Sequence, residues 1–144
     1  RPTGFQAAFE AEIVAELEAL VDDGAVAAWA FEAIEAAVRR KALRVAARAD
    51  EQRINADTSD HAGATAACAC GELACYAGRR KKTFASVLGP LTLSRADYHC
   101  AACATGFCPR DQALGLAGAS LSPGVLRRVA QVGAMVSFEE GHEC

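Results

Sequence analysis

The stretch AACACGELACYAGRRKKTFASVLGPLTLSRADYHCAAC, Ala66 to Cys103, decides how this chain is read. It holds five of the seven cysteines. Cys68-x-Cys70 stands at one end and Cys100-x-x-Cys103 at the other, with a basic run and one expected β-hairpin between. A zinc ribbon needs two short cysteine pairs on tight turns, brought together by a hairpin, so that four thiolates close a tetrahedral site. The order here is that order. The one-residue gap in the first pair is the unusual feature, and Gly71 follows it where backbone N–H groups usually turn toward sulfur. Other ligand sets stay open from sequence: Cys75 could replace Cys68 or Cys70, and His99 or Cys108 could replace a member of the second pair. A redox Cys-x-x-Cys normally opens a helix, whereas Cys100 ends a strand. Four cysteines leave no open position for catalysis by the metal. The expected cofactor is therefore structural zinc on Cys68, Cys70, Cys100 and Cys103.

The basic run is Arg79-Arg80-Lys81-Lys82. Adjacent cations repel one another and help folding little, but opposite a phosphate backbone they release counterions and gain affinity. Arg95, on the second strand, is expected to join them against DNA. The alternative is a solvated strand edge kept from pairing by charge. Net charge over the 144 residues is −3, unevenly spread. Residues 1–60 carry 12 acids against 7 bases, and residues 76–128 carry 8 bases against 2 acids. A basic segment beside an acidic one is a cue for nucleic acid.

Outward from the hairpin, the pattern becomes helical. Phe5, Phe9, Ile13, Leu17 and Leu20 mark one face of a helix over about 4–21. Asp22-Asp23-Gly24 is expected to cap it. A second helix over about 26–54 has the stripe Phe31, Ile34, Val38, Ala42 and Val45, giving a helical hairpin over 1–54. The small polar residues 55–67 read as a linker. "KTFASVL" and "LTLSRADYHC" are β-prone runs turned by Gly89-Pro90. The ribbon-like module is expected over 68–116, with an irregular arm from Phe107 to Leu121. A helical segment over 117–144 opens at Ser122, a good N-cap before Pro123, with Val125, Val129, Val132 and Val136 as its buried stripe. Another helix is expected from Ser137. The predicted class is α+β: helical hairpin, zinc-ribbon-like β-hairpin, C-terminal helix. At 52% hydrophobic and 23% charged, the chain is typical of globular proteins. No apolar run has the length of a membrane span, and none suits a signal peptide. Seven cysteines without an export signal favour metal ligation over disulfides.

From Cys68 to about Glu143 the chain resembles the N-terminal part of the ISKra-type insertion-sequence transposases of bacteria. The residues that carry the resemblance are Cys68-x-Cys70-Gly71, Tyr76, Gly78-Arg79-Arg80, Lys82, Gly89, Leu91, Leu93, Arg95-Ala96, Tyr98-His99-Cys100-x-x-Cys103, Gly106-Phe107, Pro109, Asp111 and Leu114-Gly115. Asp97 departs from it, where an aromatic or bulky residue is usual, and Cys75 is also unusual there. The resemblance implies a DNA-binding and assembly portion of a transposase, cytoplasmic and nucleoid-associated. It implies a downstream RNase-H-like domain whose three acids hold Mg²⁺. Asp97, Asp111, Glu139 and Glu140 do not form that triad, so no catalytic residue is expected here, and the chain reads as a fragment that does not cut DNA alone. Expected partners are DNA and a second copy through the N-terminal helices, with neither a membrane nor a small-molecule substrate. The other reading is a zinc-ribbon adaptor for protein contacts that never touches DNA.

Overall fold

The computed structural model describes residues 4–21 and 30–136. The cap at Asp22–Gly24, the first turn expected at 26–29, the helix expected from Ser137, Cys144, and the side chains of Phe5, Leu20 and Val136 lie outside the described residues. The chain divides into two compact units, Arg1–Asp50 and Glu51–Cys144.

In the first unit, α1 (Gly4–Val21) lies beside the greater part of α2 (Phe31–Ala56). Arg48 pairs with Glu12 at 3.0 Å, and the Lys41 ammonium donates to the Ala19 carbonyl at 2.8 Å. Contacts that climb one helix while descending the other make the pair antiparallel, a helical hairpin as expected. Ala47 is buried, while Phe31 and Val38 of the expected stripe stay exposed. Alanine supplies much of the apolar content, and it buries little area per residue.

The second unit is a four-stranded antiparallel sheet in the order β1 (Thr65–Ala67), β2 (Leu73–Ser86), β3 (Gly89–Cys100), β4 (Thr105–Phe107). With α3 (Pro109–Ala113) and α4 (Pro123–Val136) it completes the α+β class. The β2–β3 hairpin is longer than the two β-prone runs: its first strand begins at Leu73, so the basic run lies within β2. Its turn is Val87-Leu88, held by the Ser86 hydroxyl, which donates to the Gly89 carbonyl at 2.7 Å and accepts from the Leu88 N–H at 3.1 Å. Gly89 and Pro90, expected in the turn, open β3. Pro90 shares the parity of Thr92, Ser94 and Ala96, whose N–H groups point away from β2. Its missing donor therefore costs the ladder nothing.

Strand alternation divides the hairpin into two faces. Ala96, Tyr98 and Cys100 on one face join Ala74 and Cys68 in a buried cluster, with Tyr76 and Phe107 packed against it. Tyr98 and Phe107 stack at 5.9 Å between ring centroids. The Tyr98 hydroxyl donates to the Gly63 carbonyl at 3.0 Å and accepts from the Ala62 N–H at 2.9 Å. Phe84, Leu91 and Leu93 bury the other face, with Leu116 also buried. A bulge at Ala77 shifts the register, and Gly78 beside it takes a φ of +108°, which favours glycine.

Part of the stretch 55–67, expected as a linker, is built into the sheet. Thr65–Ala67 pair with β2. Asn55 accepts from the Ser94 N–H at 2.8 Å and donates to the Thr92 carbonyl at 3.0 Å. Glu51 accepts from the Thr92 N–H and Asp60 from the Ala96 N–H, both at 2.7 Å. Side chains thus satisfy the open edge of β3 where β4 does not reach. The expected arm is ordered too. It holds the end of β4 and all of α3, buries Leu116, and pairs Ser120 and Leu121 with Ala85 of β2. Ser122 caps α4 as expected, accepting from the Val125 N–H at 3.3 Å. Among the described residues the expected stripe of α4 is only partly covered: Val125 is half-buried, while Val129 and Val132 are exposed.

Candidate metal centre and basic strand

Two tight turns carry the four cysteines. The first joins β1 to β2: the Gly71 N–H donates to the Cys68 carbonyl at 3.0 Å, and the Cys68 N–H to the Glu72 carbonyl at 2.9 Å. Gly71 takes a φ of +94°, which a side chain would resist. The second joins β3 to β4 across Ala101–Ala104, with Ala104 left-handed at a φ of 55°. Pairing of β2 with both β1 and β3 brings the turns side by side.

The sulfurs of Cys68, Cys70, Cys100 and Cys103 all lie within 4.8 Å of one another. Cys68 and Cys103 Sγ are 3.6 Å apart, as are those of Cys70 and Cys100. A tetrahedral centre with Zn–S bonds of ~2.3 Å sets its sulfurs about 3.8 Å apart. The donor set and spacing therefore fit a closed structural site for a metal such as zinc. Cys68 and Cys100 are buried, and Cys70 and Cys103 face outward.

The surroundings of the thiols differ. The Thr105 hydroxyl lies 2.8 Å from Cys103 Sγ. That hydroxyl, then the Thr105 amide, then the Cys68 thiol stabilise the thiolate and hold Cys103 down to about 6. The Glu72 amide favours the Cys70 thiolate, but the adjoining Cys68 and Cys100 thiols outweigh it, and Cys70 is pushed up to about 11. A metal would take one ligand that is already anionic near neutral pH and displace a proton from the other.

The alternative ligands fall elsewhere. Cys75 is exposed on β2, opposite His99 of β3. Cys108 is buried, its thiol donating to Asp97 Oδ1 at 3.7 Å, and burial raises its pKa. Neither cysteine, nor His99, belongs to the four-sulfur cluster.

The five cations expected to meet DNA do not share one surface. Alternation sends Arg79 and Lys81 to one face and Arg80 and Lys82 to the other. Arg79 bonds Asp60 at 3.1 Å and the Ser94 carbonyl at 2.8 Å. Arg80 meets Asp97 through Nε at 2.9 Å while its side chain stays 73% exposed. Lys81 is exposed. Lys82 donates to the Ala119 carbonyl at 2.6 Å and lies over the Phe84 ring. Arg95 is only 6% exposed and ion-paired with Asp111, so it lies beneath the surface that the exposed cations present. Arg80 and Arg95 stand directly opposite in the register, and their two aspartates relieve the repulsion. Asp97, the departure from the resemblance, is thus the counter-ion of Arg80.

Sequence reasoning missed Arg110. It is 6% exposed, donates to the carbonyls of Ile54 at 2.8 Å, Ser94 at 3.3 Å and Asp57, and pairs with Asp60 at 3.2 Å. It ties the end of α2, the loop after it, and β3 to α3. Its place after Pro109 in a short helix gave no signal of this.

Comparison with protein-family models, with curated proteins and with solved structures gives no match. Among the described residues, no helix is long and apolar enough to cross a membrane.

Proposed function

We propose that this chain is a zinc-stapled nucleic-acid-binding and assembly module, the kind of N-terminal portion that the resemblance to ISKra-type transposases implies. The observation that carries the reading is the four-sulfur cluster. It closes the end of a hairpin whose first strand bears four consecutive cations. Zinc on Cys68, Cys70, Cys100 and Cys103 would fix the strand. Arg80 is its largely exposed cation for phosphate, with Lys82 on the same face, while Arg79 is engaged inside the fold and Lys81 stands on the other face. In this reading strand cleavage and its Mg²⁺ would belong to a separate acidic triad, as the resemblance implies. Arg127 and Arg128 on α4 would extend the basic surface.

The test is a zinc-loaded chain titrated with duplex and single-stranded DNA across a salt series. One zinc per chain is expected by native mass spectrometry. The double variant Arg80→Ala with Lys82→Ala is expected to weaken DNA binding and reduce the salt slope by about two. Zinc binding with no DNA affinity at low salt would leave the adaptor reading instead. A specific observation favours that reading: the exposed apolar residues Leu126, Val129, Val132 and Met135 on α4.

A further inference from the structure

The face of β2–β3 opposite the Tyr98 cluster forms the floor of a cleft of about 820 Å³. Arg80, Lys82, Arg95, Asp97, His99 and Asp111 line it, with the exposed Gln112 at its edge. The two acids are already engaged, Asp97 by Arg80 and Cys108, Asp111 by Arg95. The remaining hydrogen-bonding capacity is therefore mostly donor capacity. Arg80 is tethered through Nε and largely exposed, which leaves its terminal nitrogens for a bidentate contact. Lys82 keeps further N–H donors beyond the one given to Ala119. Deeper in, Arg95 Nε and Asp111 Oδ1 are buried without a hydrogen-bond partner. The first is a spare donor beneath the cleft floor; the second is an acceptor that only a donor group or a water could satisfy.

The geometry points to this cleft as a seat for a phosphate-bearing ligand, with Arg80 as the principal donor and Lys82 beside it. Its volume is that of a nucleotide-sized site rather than of a bare ion. The ligand is a free nucleotide or one phosphodiester unit of a nucleic-acid strand; the phosphate chemistry is the same. In the second case the inference rests on the nucleic-acid reading above and gives it a location.

The experiment uses the whole zinc-loaded chain. Inorganic phosphate, adenosine monophosphate and a mixed-sequence single-stranded oligonucleotide are titrated separately while the backbone amides of Gly106, Gln112 and Gly118 are followed by NMR. Phosphate and the nucleotide are expected to shift these amides. Arg80→Ala should weaken the nucleotide about tenfold, the worth of one charge-assisted pair. Lys81→Ala, on the opposite face, should change it by less than about twofold. Because Arg80→Ala also strips Asp97 of its partner, Gln112→Glu provides an independent check: an added carboxylate at the exposed rim should weaken the same ligand. Competition between oligonucleotide and phosphate at these amides identifies the strand as the source. Nucleotide binding without oligonucleotide binding identifies the free ligand, and the nucleic-acid reading then fails while the seat stands. Silent amides with phosphate and nucleotide overturn the seat, even where DNA binds elsewhere. Equal losses for Arg80→Ala and Lys81→Ala also overturn it, since they mean diffuse attraction.

Discussion

Thr105 illustrates what one residue contributes beside a thiolate. Its hydroxyl, 2.8 Å from Cys103 Sγ, favours the charged ligand form. Thr105→Val keeps the shape and removes the donor. Its pKa should rise, so at any given pH more Cys103 is protonated and must lose its proton to bind. Zinc affinity is expected to fall by about tenfold or more. The pH of half-release in a chelator-dye assay is expected to move upward. Arg110 acts differently, as a buried cation with four acceptors. Arg110→Ala leaves Asp60 buried without that partner and should destabilise the unit by about 3 kcal/mol or more in urea unfolding. Arg110→Lys should recover only part, since an ammonium cannot span the same acceptors. The cysteines were legible in sequence because a metal turn is a local pattern of spacing. The roles of Arg95 and Arg110 were not, because their partners lie in other elements and no periodicity points to them.

At the scale of elements, the helices at 4–21 and from Pro123 follow their sequence signals closely. The displaced turn has a simple cause: the Ser86 hydroxyl builds the corner at Val87-Leu88, and Gly89-Pro90, though typical of turns, serve as the start of β3. Composition also misread residues 55–67. Small polar side chains suit a linker, but here Asn55 and Asp60 bond the backbone of β3 directly. This makes the sheet sensitive to acid. Burial pushes the Asp60 carboxyl up, but the Ala96 amide and the Arg79 and Arg110 guanidiniums more than offset it, holding it below the usual range. A carboxyl depressed by folding adds stability above its unfolded pKa of 3.8, and that stability is lost as pH falls through the folded value. Urea midpoints should therefore decline steeply below about pH 4. Asp60→Asn should begin less stable and show a shallower decline over the same window.

For the molecule as a whole, the α+β class and the order of its parts were readable from periodicity and cysteine spacing. The two-unit division at Asp50 was not, because α2 runs through it without a break in pattern. Among the described residues of the second unit few large side chains are buried; Tyr98, Phe84, Leu93 and Cys100 are the largest that are fully enclosed. With such a core, metal binding should supply much of the folding free energy. Removing zinc with a strong chelator is expected to collapse hydrogen-exchange protection across β2 and β3, and restoring zinc to return it. Unchanged protection would mean that the sheet stands without its staple.

The open edge of β2 has a further consequence. β1 covers only its first residues and Ser120–Ser122 only its end, so the outer backbone in between lies beneath Arg79, Arg80, Lys81 and Lys82. Two copies brought together there would set like charges side by side. Strand-to-strand polymerisation, the usual hazard of a long unpaired edge, is resisted by electrostatics. The protection depends on ionic strength: salt screens it within a Debye length of about 10 Å at 0.1 M. Concentrated salt, which weakens any hold on phosphate, should by the same screening make this chain more prone to self-association.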